Sequence, residues 1–265
     1  MINSNFIEYR VFEKYKSLQA FSTTINDGVS TGNYSSFNLG LYSGDIIENV
    51  IRNREKLCSF HNINLSDLFL PYQTHEDKVY VIDKTFLSKS GEEQTKLLHG
   101  VDSVVTDQKN ICIGVTTADC VPILIYDSDK NILAAVHAGW KGTVDMIVNK
   151  TIKVMTYKFG SKPIDMKVAI GPSISAQYFE VGEEVVQKFV QNGFDMDGVG
   201  SLNNISGKYH IDLQKANKNL CVLSGIPPEN IEVSGLCTYS NSQLFFSARR
   251  QSVNSGRMVT AGMLL

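Results

Sequence analysis

ICIGVTTADCVPILIYDSDKNILAAVHAGWKGT, residues 111–143, decides how the chain is read. It holds three short apolar runs rich in β-branched residues: ICIGVTT (111–117), PILIYD (122–127) and ILAAVHA (132–138). Runs of that length and composition are strands. DSDKN (127–131) is the turn between the last two. Downstream, residues 142–159 have helical periodicity, with Val144, Ile147, Val148, Ile152 and Met155 on one face and Gly160 as the stop. MKVAIGPS (166–173) is another buried strand. YFEVGEEVVQKFVQNG (178–193) reads as a second helix ending at Gly193. HIDLQKANKNLCVLSG (210–225) reads as a third, with Asp212 as N-cap and Gly225 beyond its end. ENIEVSGLCTY, QLFFSARR and GRMVTAGMLL finish the chain as strands.

Upstream, FLPYQTHEDKVYVID (69–83) alternates around a strand, and residues 46–63 carry Ile47, Val50, Ile51 and Leu57 near helical spacing. DGVSTGNYSSFNLGLYSGD (27–45) is a loop with many free backbone donors, and FEKYKSLQAFSTT (12–24) is extended. Single helices interleaved with paired strands predict an α+β or mixed α/β fold, not a regular parallel repeat.

The 265 residues suit one large domain or two fused lobes. A hydrophobic content of 43% and a charged content of 20% are ordinary for a globular enzyme, and a net charge of -2 gives no reason to expect nucleic acid or an anionic membrane as partner. Residues 1–16 have no apolar stretch of signal-peptide length, and the longest apolar runs are too short to span a bilayer, so a cytoplasmic protein is expected. The five cysteines include no C-x-x-C pair, which argues against a disulfide framework or a four-cysteine structural zinc. Cys58, Cys112 and Cys221 read as packing residues; Cys237, at a strand end before Thr238, is harder to dismiss. His61, His99 and His210 lie in polar or loop-like surroundings that suit solvated or structural roles.

His75, Cys120 and His137 remain. Two imidazoles and a thiolate are the ligand count of a catalytic zinc, whose fourth position is left to water. Their separations along the chain match no compact finger, so they must meet through the fold. The plainer alternative is a buried thiol and two hydrogen-bonded structural histidines. Context favours the metal: His137 ends an apolar run and precedes Ala138-Gly139, where backbone can approach closely. Asp119, beside Cys120, is a candidate to orient a ligand or exchange a proton, or else a turn residue. Trp140 is a candidate wall for a flat ligand or a core anchor. Lys141, Arg249 and Arg250 are candidates for phosphate, or a solvated charged edge.

Nine segments occur in order: NLGLYSGD (38–45), NR (53–54), QTH (73–75), TTADC (116–120), HAGWKGT (137–143), GPSI (171–174), CT (237–238), FFSARR (245–250) and GR (256–257). Together they resemble the YfiH-like, laccase-domain family, also labelled polyphenol oxidase or purine nucleoside phosphorylase. The resemblance runs from about residue 20 onward. It implies one α/β-sandwich domain over residues 1–265 and a metal site, usually zinc, with ligands matching His75, Cys120 and His137. It also implies phosphorolysis of adenosine and inosine, with methylthioadenosine cleavage and adenosine deamination as related activities. Purine nucleosides and phosphate are then the partners, Cys120, His137 and Asp119 the catalytic candidates, and Asn38, Gln73, Lys141, Arg249 and Arg250 the substrate-binding ones. A monomer or weak homo-oligomer is expected. Lys141 stands where the family usually has arginine, and Ala248 where it commonly has an aromatic or histidine; lysine keeps the charge but loses the bidentate fork.

Three other readings are open. Cys120 could be a nucleophile with His137 as its base, giving an amide hydrolase that edits cell-wall precursors. Copper-dependent phenol oxidation is the older family label. A non-catalytic zinc module would need a fourth protein ligand, for which Cys237 is the candidate.

Overall fold

The computed structural model describes residues 5–265. The chain enters through the antiparallel pair β1 (Phe6–Glu8) and β2 (Leu18–Thr23). Helix α1 (Ile47–His61) turns Val50, Asn53, Leu57 and Cys58 inward and ends at Asn62, which takes the left-handed conformation at φ 54. Next come β3 (Leu68–Phe69), β4 (Val79–Ile82), the short helices α2 (Lys84–Leu87) and α3 (Gly91–Leu97), and β5 (Ser103–Thr106). The three central apolar runs are β6 (Cys112–Thr117), β7 (Val121–Asp127) and β8 (Ile132–Ala138). They lead into α4 (Trp140–Val144), α5 (Ile147–Phe159) and β9 (Met166–Ile170). The remainder is β10 (Glu180–Val181), α6 (Glu183–Gln191), α7 (Met196–Val199), β11 (Gly200–Leu202), β12 (Tyr209–Ile211), α8 (Leu213–Leu223), β13 (Ile231–Val233), α9 (Ala248–Gln251) and β14 (Met258–Leu264).

Two mixed sheets carry the architecture. One has the order β13-β9-β7-β8-β5-β4, the other β1-β2-β14-β6-β3, and a small sheet β10-β12-β11 lies apart. All seven residues of both β7 and β8 are buried, because each strand is covered on both faces. Val121, Ile123 and Ile125 pack with Ile147, Ile152 and Met155 of α5. Leu124 and Tyr126 point the other way, toward Ile113 and Val115 of the five-stranded sheet. That sheet's outer face, with Phe21, Val259 and Ala261, is closed by Leu57 and Cys58 of α1. The layers are thus helices, sheet, sheet, helix, and the mixed α/β sandwich expected from the sequence is what the chain forms. No helix among the described residues is long and apolar enough to cross a membrane.

Four local expectations need correction. The single helix over 142–159 is two helices, broken at Met146, which is left-handed at φ 62. QLFFSARR is not a strand: Phe245 and Phe246 fill the core from irregular backbone, and Ser247 then caps α9 by accepting from the Arg250 N–H. The helix expected from Tyr178 begins only at Glu183, after a 3-10 turn and β10. The strand over 229–239 is confined to Ile231–Val233. The Asp212 cap is as expected, accepting from the Lys215 N–H.

At one end of the sandwich the chain crosses from the five-stranded sheet to the six-stranded one twice, and it returns there between β13 and β14. β3 belongs to the five-stranded sheet and β4 to the six-stranded one; so, respectively, do β6 and β7. The registers bring the ends of β4, β5, β7 and β8 together there, since Val79 pairs with Ser103, Ser103 with Val136, and Val121 with Ala138. The two crossings carry His75 and Cys120.

Candidate metal centre and its cleft

His137 is the penultimate residue of β8 and 3% exposed. Cys120 immediately precedes β7, and His75 lies on the β3–β4 crossing. Their donor atoms all lie within 4.8 Å of one another. Two tight turns aim them. His75 has φ 63 and the preceding neighbour of Cys120, Asp119, has φ 89, both in the left-handed region that a side chain enters only when surroundings hold it there. Gly139 leaves room for the same convergence: a Cβ there would crowd the Cys120 sulfur at 3.1 Å and the His75 ring at 3.3 Å.

A residue that the sequence reading missed organises the centre. Asp102, fully buried just before β5, accepts from His137 Nδ1 at 2.7 Å. Its two oxygens also accept from the backbone N–H groups of Thr74, His75 and Glu76 at 3.0–3.1 Å. One carboxylate thus keeps a proton on Nδ1 of His137, leaves Nε2 for a ligand, and clamps the loop that carries His75. Burial opposes its ionisation, but His137 and the Glu76 and Thr74 amides outweigh that and hold the carboxyl below its ordinary pKa. Burial pushes the Cys120 thiol up, and the His137 and His75 imidazoles outweigh it and bring it down. Burial pushes His137 down, and Cys120 and Asp102 outweigh it and raise it. Each thus shifts the other, and the two titrate as one unit.

The donor set fits a metal ion. Two imidazole nitrogens and a thiolate are borderline-soft ligands of the kind zinc takes, the second imidazole nitrogen of His137 is already oriented by a carboxylate, and one side faces open space. That space is a cleft of about 550 Å³, lined by His75, Cys120 and His137 and by Tyr42, Tyr72 and Phe179 among others. A second cavity of about 430 Å³, between β2 and the segment 10–16, contains none of the metal donors.

The structure places the remaining sequence candidates as follows. Gln73 lines the cleft and zips its loop to β6, donating to the Thr116 carbonyl and accepting from the Thr116 N–H, both at 2.8 Å. Asp119 lines it too, but its carboxylate already accepts from Thr238, Ser247 and the Arg249 N–H at 2.7–3.0 Å. It therefore anchors the Arg249 segment against the cysteine turn. Arg249 lines the cleft with its guanidinium 5.4 Å from the Phe179 ring centre. Four candidates are not brought into the cleft, among them Trp140, which packs against the core of β7, β8 and α5 instead. Arg250 turns its guanidinium onto the carbonyls of Thr238, Tyr239 and Phe245. Lys141 is exposed and lies over Trp140, 5.7 Å from the ring centre. Asn38 is fully buried; it accepts from the N–H groups of Gly40 and Arg257 and donates to Ser43 and Asp45, so it shapes the loop rather than meeting a ligand. Cys237 is not part of the cluster; its sulfur accepts from the Ser175 N–H. Arg54 and Arg257 line the cleft unforeseen, although each lies in one of the two-residue motifs, NR and GR.

Two sheets whose crossings bring a cysteine and a histidine against a second histidine at the end of β8, all facing one cleft, define the class, and the chain belongs to it. The family described as multi-copper polyphenol oxidoreductase laccase matches residues 19–265. A purine nucleoside phosphorylase of Bacteroides thetaiotaomicron is 42% identical over 256 residues, 97% of this chain and 95% of the relative. Adenosine deaminase RL5, from an unknown prokaryotic organism, is 41% identical over 245 residues, covering 92% and 93%. The solved structure of the Bacillus licheniformis protein YfiH superimposes with a TM-score of 0.91 at 30% identity, over 99% of this chain and 97% of that one.

Proposed function

We propose that this chain is a zinc-dependent purine nucleoside phosphorylase acting on adenosine, inosine and methylthioadenosine, with adenosine deamination as a second activity. The observation that carries the reading is the His75–Cys120–His137 centre opening onto a cleft also lined by arginines. The names of the relatives at 42% and 41% identity support it. Bound zinc would supply a Lewis acid or an activated water. The chain's own side chains do the rest. Asp102 fixes the His137 tautomer, Tyr72 and Phe179 offer flat apolar faces that suit a purine, and Asp119 fixes Arg249 beside Phe179. In phosphorolysis a phosphate oxygen bonds to ribose C1′ as the C1′–N9 bond breaks. The bonding pair leaves with the purine, which takes up a proton. Holding phosphate against C1′ and excluding water are therefore the tasks of the cleft.

Metal-quantified, zinc-loaded protein incubated with adenosine and inosine, with and without phosphate, tests the reading by chromatography of the products. Free base and ribose 1-phosphate are expected only with phosphate, and inosine from adenosine without it. No turnover at one zinc per chain would overturn it.

One observation favours a second reading. Cys120, His137 and Asp102 follow each other in the order of a nucleophile, a base and its orienting carboxylate, the last step at 2.7 Å. Metal-free protein would then hydrolyse an amide of a cell-wall precursor through an acyl-enzyme. Tight stoichiometric zinc counts against this, because a metal-bound thiolate is a poor nucleophile. Copper-dependent phenol oxidation has less behind it: among the described residues one cluster of three donors is found, and laccase chemistry uses several coppers.

A further inference from the structure

Three arginines line the cleft, and they differ in what their guanidinium groups already hold. Arg249 donates to the carbonyls of Tyr178 and Glu180, both at 3.2 Å. Arg257 donates to the carbonyls of Val253, Ser255 and Gly256, and the charges of Cys120 and Asp119 act on it. Arg54 is the exception. Its Nε donates to the Leu39 carbonyl at 2.9 Å, which fixes the plane of the fork, and its two terminal amino groups donate to no acceptor among the described residues. Among the described residues no salt bridge reaches it, and the groups that act on its charge, Tyr42 and Cys58, are not carboxylates. Burial lowers its pKa to about 10, so it remains charged at neutral pH.

We propose that Arg54 is the phosphate anchor of this cleft, its free fork receiving two oxygens of inorganic phosphate. A partly buried cation without a counter-charge is costly, and an anion in the cleft removes that cost. The planar fork matches phosphate oxygens in pairs. The position suits the task. Arg54 rides on α1, whose neighbours Asn53 and Leu57 are fully buried, so the fork stands on a rigid element. Asn53 bonds the backbone at Val29, Ser36 and Asn38, and Asn38 shapes the loop Gly40–Ser43 that lines the same wall. The Leu41 and Tyr42 N–H groups of that loop also donate to no acceptor among the described residues. The assignment replaces Lys141 and Arg250, which lie outside the cleft, and rests on the phosphorylase reading.

The test titrates zinc-loaded wild type and Arg54→Gln with inorganic phosphate by calorimetry, then measures phosphorolysis of inosine as a function of phosphate. Phosphate affinity is expected to weaken about 10- to 100-fold, the loss typical of a hydrogen bond to a charged group. The KM for phosphate should rise by a similar factor, and the KM for inosine by much less. Arg54→Lys, which keeps the charge without the fork, should fall between. Zinc content and melting temperature report folding of both variants. Equal phosphate affinity in wild type and Arg54→Gln overturns the assignment. If wild type turns over no nucleoside yet loses phosphate affinity on Arg54→Gln, the subsite stands and the phosphorylase reading falls. If wild type binds acetate through Arg54 but not phosphate, the anion is a substrate carboxylate and the proposal fails.

Discussion

Asp102 shows how much of the centre depends on one side chain outside the donor set. It joins His137 to the loop of His75, so its charge reaches two of the three donors. Asp102→Asn keeps the shape and removes the charge. Its zinc affinity, read by competition with a chromophoric chelator, should fall about 10- to 100-fold, as for other carboxylates behind metal-bound histidine. Unchanged affinity would reduce Asp102 to a loop clamp. That His75, Cys120 and His137 belong together was legible in the sequence, because the motifs QTH, TTADC and HAGWKGT single them out. Asp102 was not: aspartate is common, and its partners lie at 74–76 and 137. The direction of a charge was equally hidden. Arg249 and Arg250 are adjacent, yet one lines the cleft and the other faces backbone carbonyls, while Arg54 stood in the two-residue motif NR with no role assigned.

At the scale of elements, the C-terminal end of α1 sets an acid limit. His61 stacks on Phe21, centres 3.8 Å apart, and its Nε2 has no hydrogen-bond partner. The helix C-terminus would favour a charged imidazole by about 0.3–1 kcal/mol. Burial outweighs it and lowers the pKa from 6.5 to about 4. The unfolded chain therefore binds this proton first, and stability falls as pH drops from about 6.5 to about 4. His61→Phe should flatten the urea midpoint across pH 7, 5.5 and 4.5 relative to wild type; parallel slopes would rule the residue out. Strands were the more legible elements. β7 and β8 are covered on both faces and so read as unbroken apolar runs. The break at Met146 left no mark, because Asp-Met-Ile contains neither glycine nor proline. Phe245 and Phe246 misled for the opposite reason: adjacent apolar residues suggest a buried strand, yet here both enter the core from irregular backbone.

At the scale of the molecule, the sheets are locked together by side chains that cross between them. Leu133 of β8 reaches β14 where Gly262 leaves room, and a Cβ on that glycine would meet the Leu133 side chain at 3.0 Å. Leu133→Ala should cost about 2–5 kcal/mol. With the core shared between sheets, it should lower the urea midpoint of one cooperative transition and leave its slope unchanged. Two separated transitions would mean that the sheets unfold independently. Strand order was the part of the fold least visible in the sequence, since β14 pairs with both β2 and β6, each more than a hundred residues earlier. That placement has a consequence in time. Synthesis delivers the donors at 75, 120 and 137 long before residues 258–264 emerge, and until they do β6, which leads directly into the cysteine turn, has only the short β3 beside it and lacks its long neighbour β14. The newborn chain must carry a thiol and two imidazoles through nearly all of the second half of its translation before the framework that would hold a metal between them is closed.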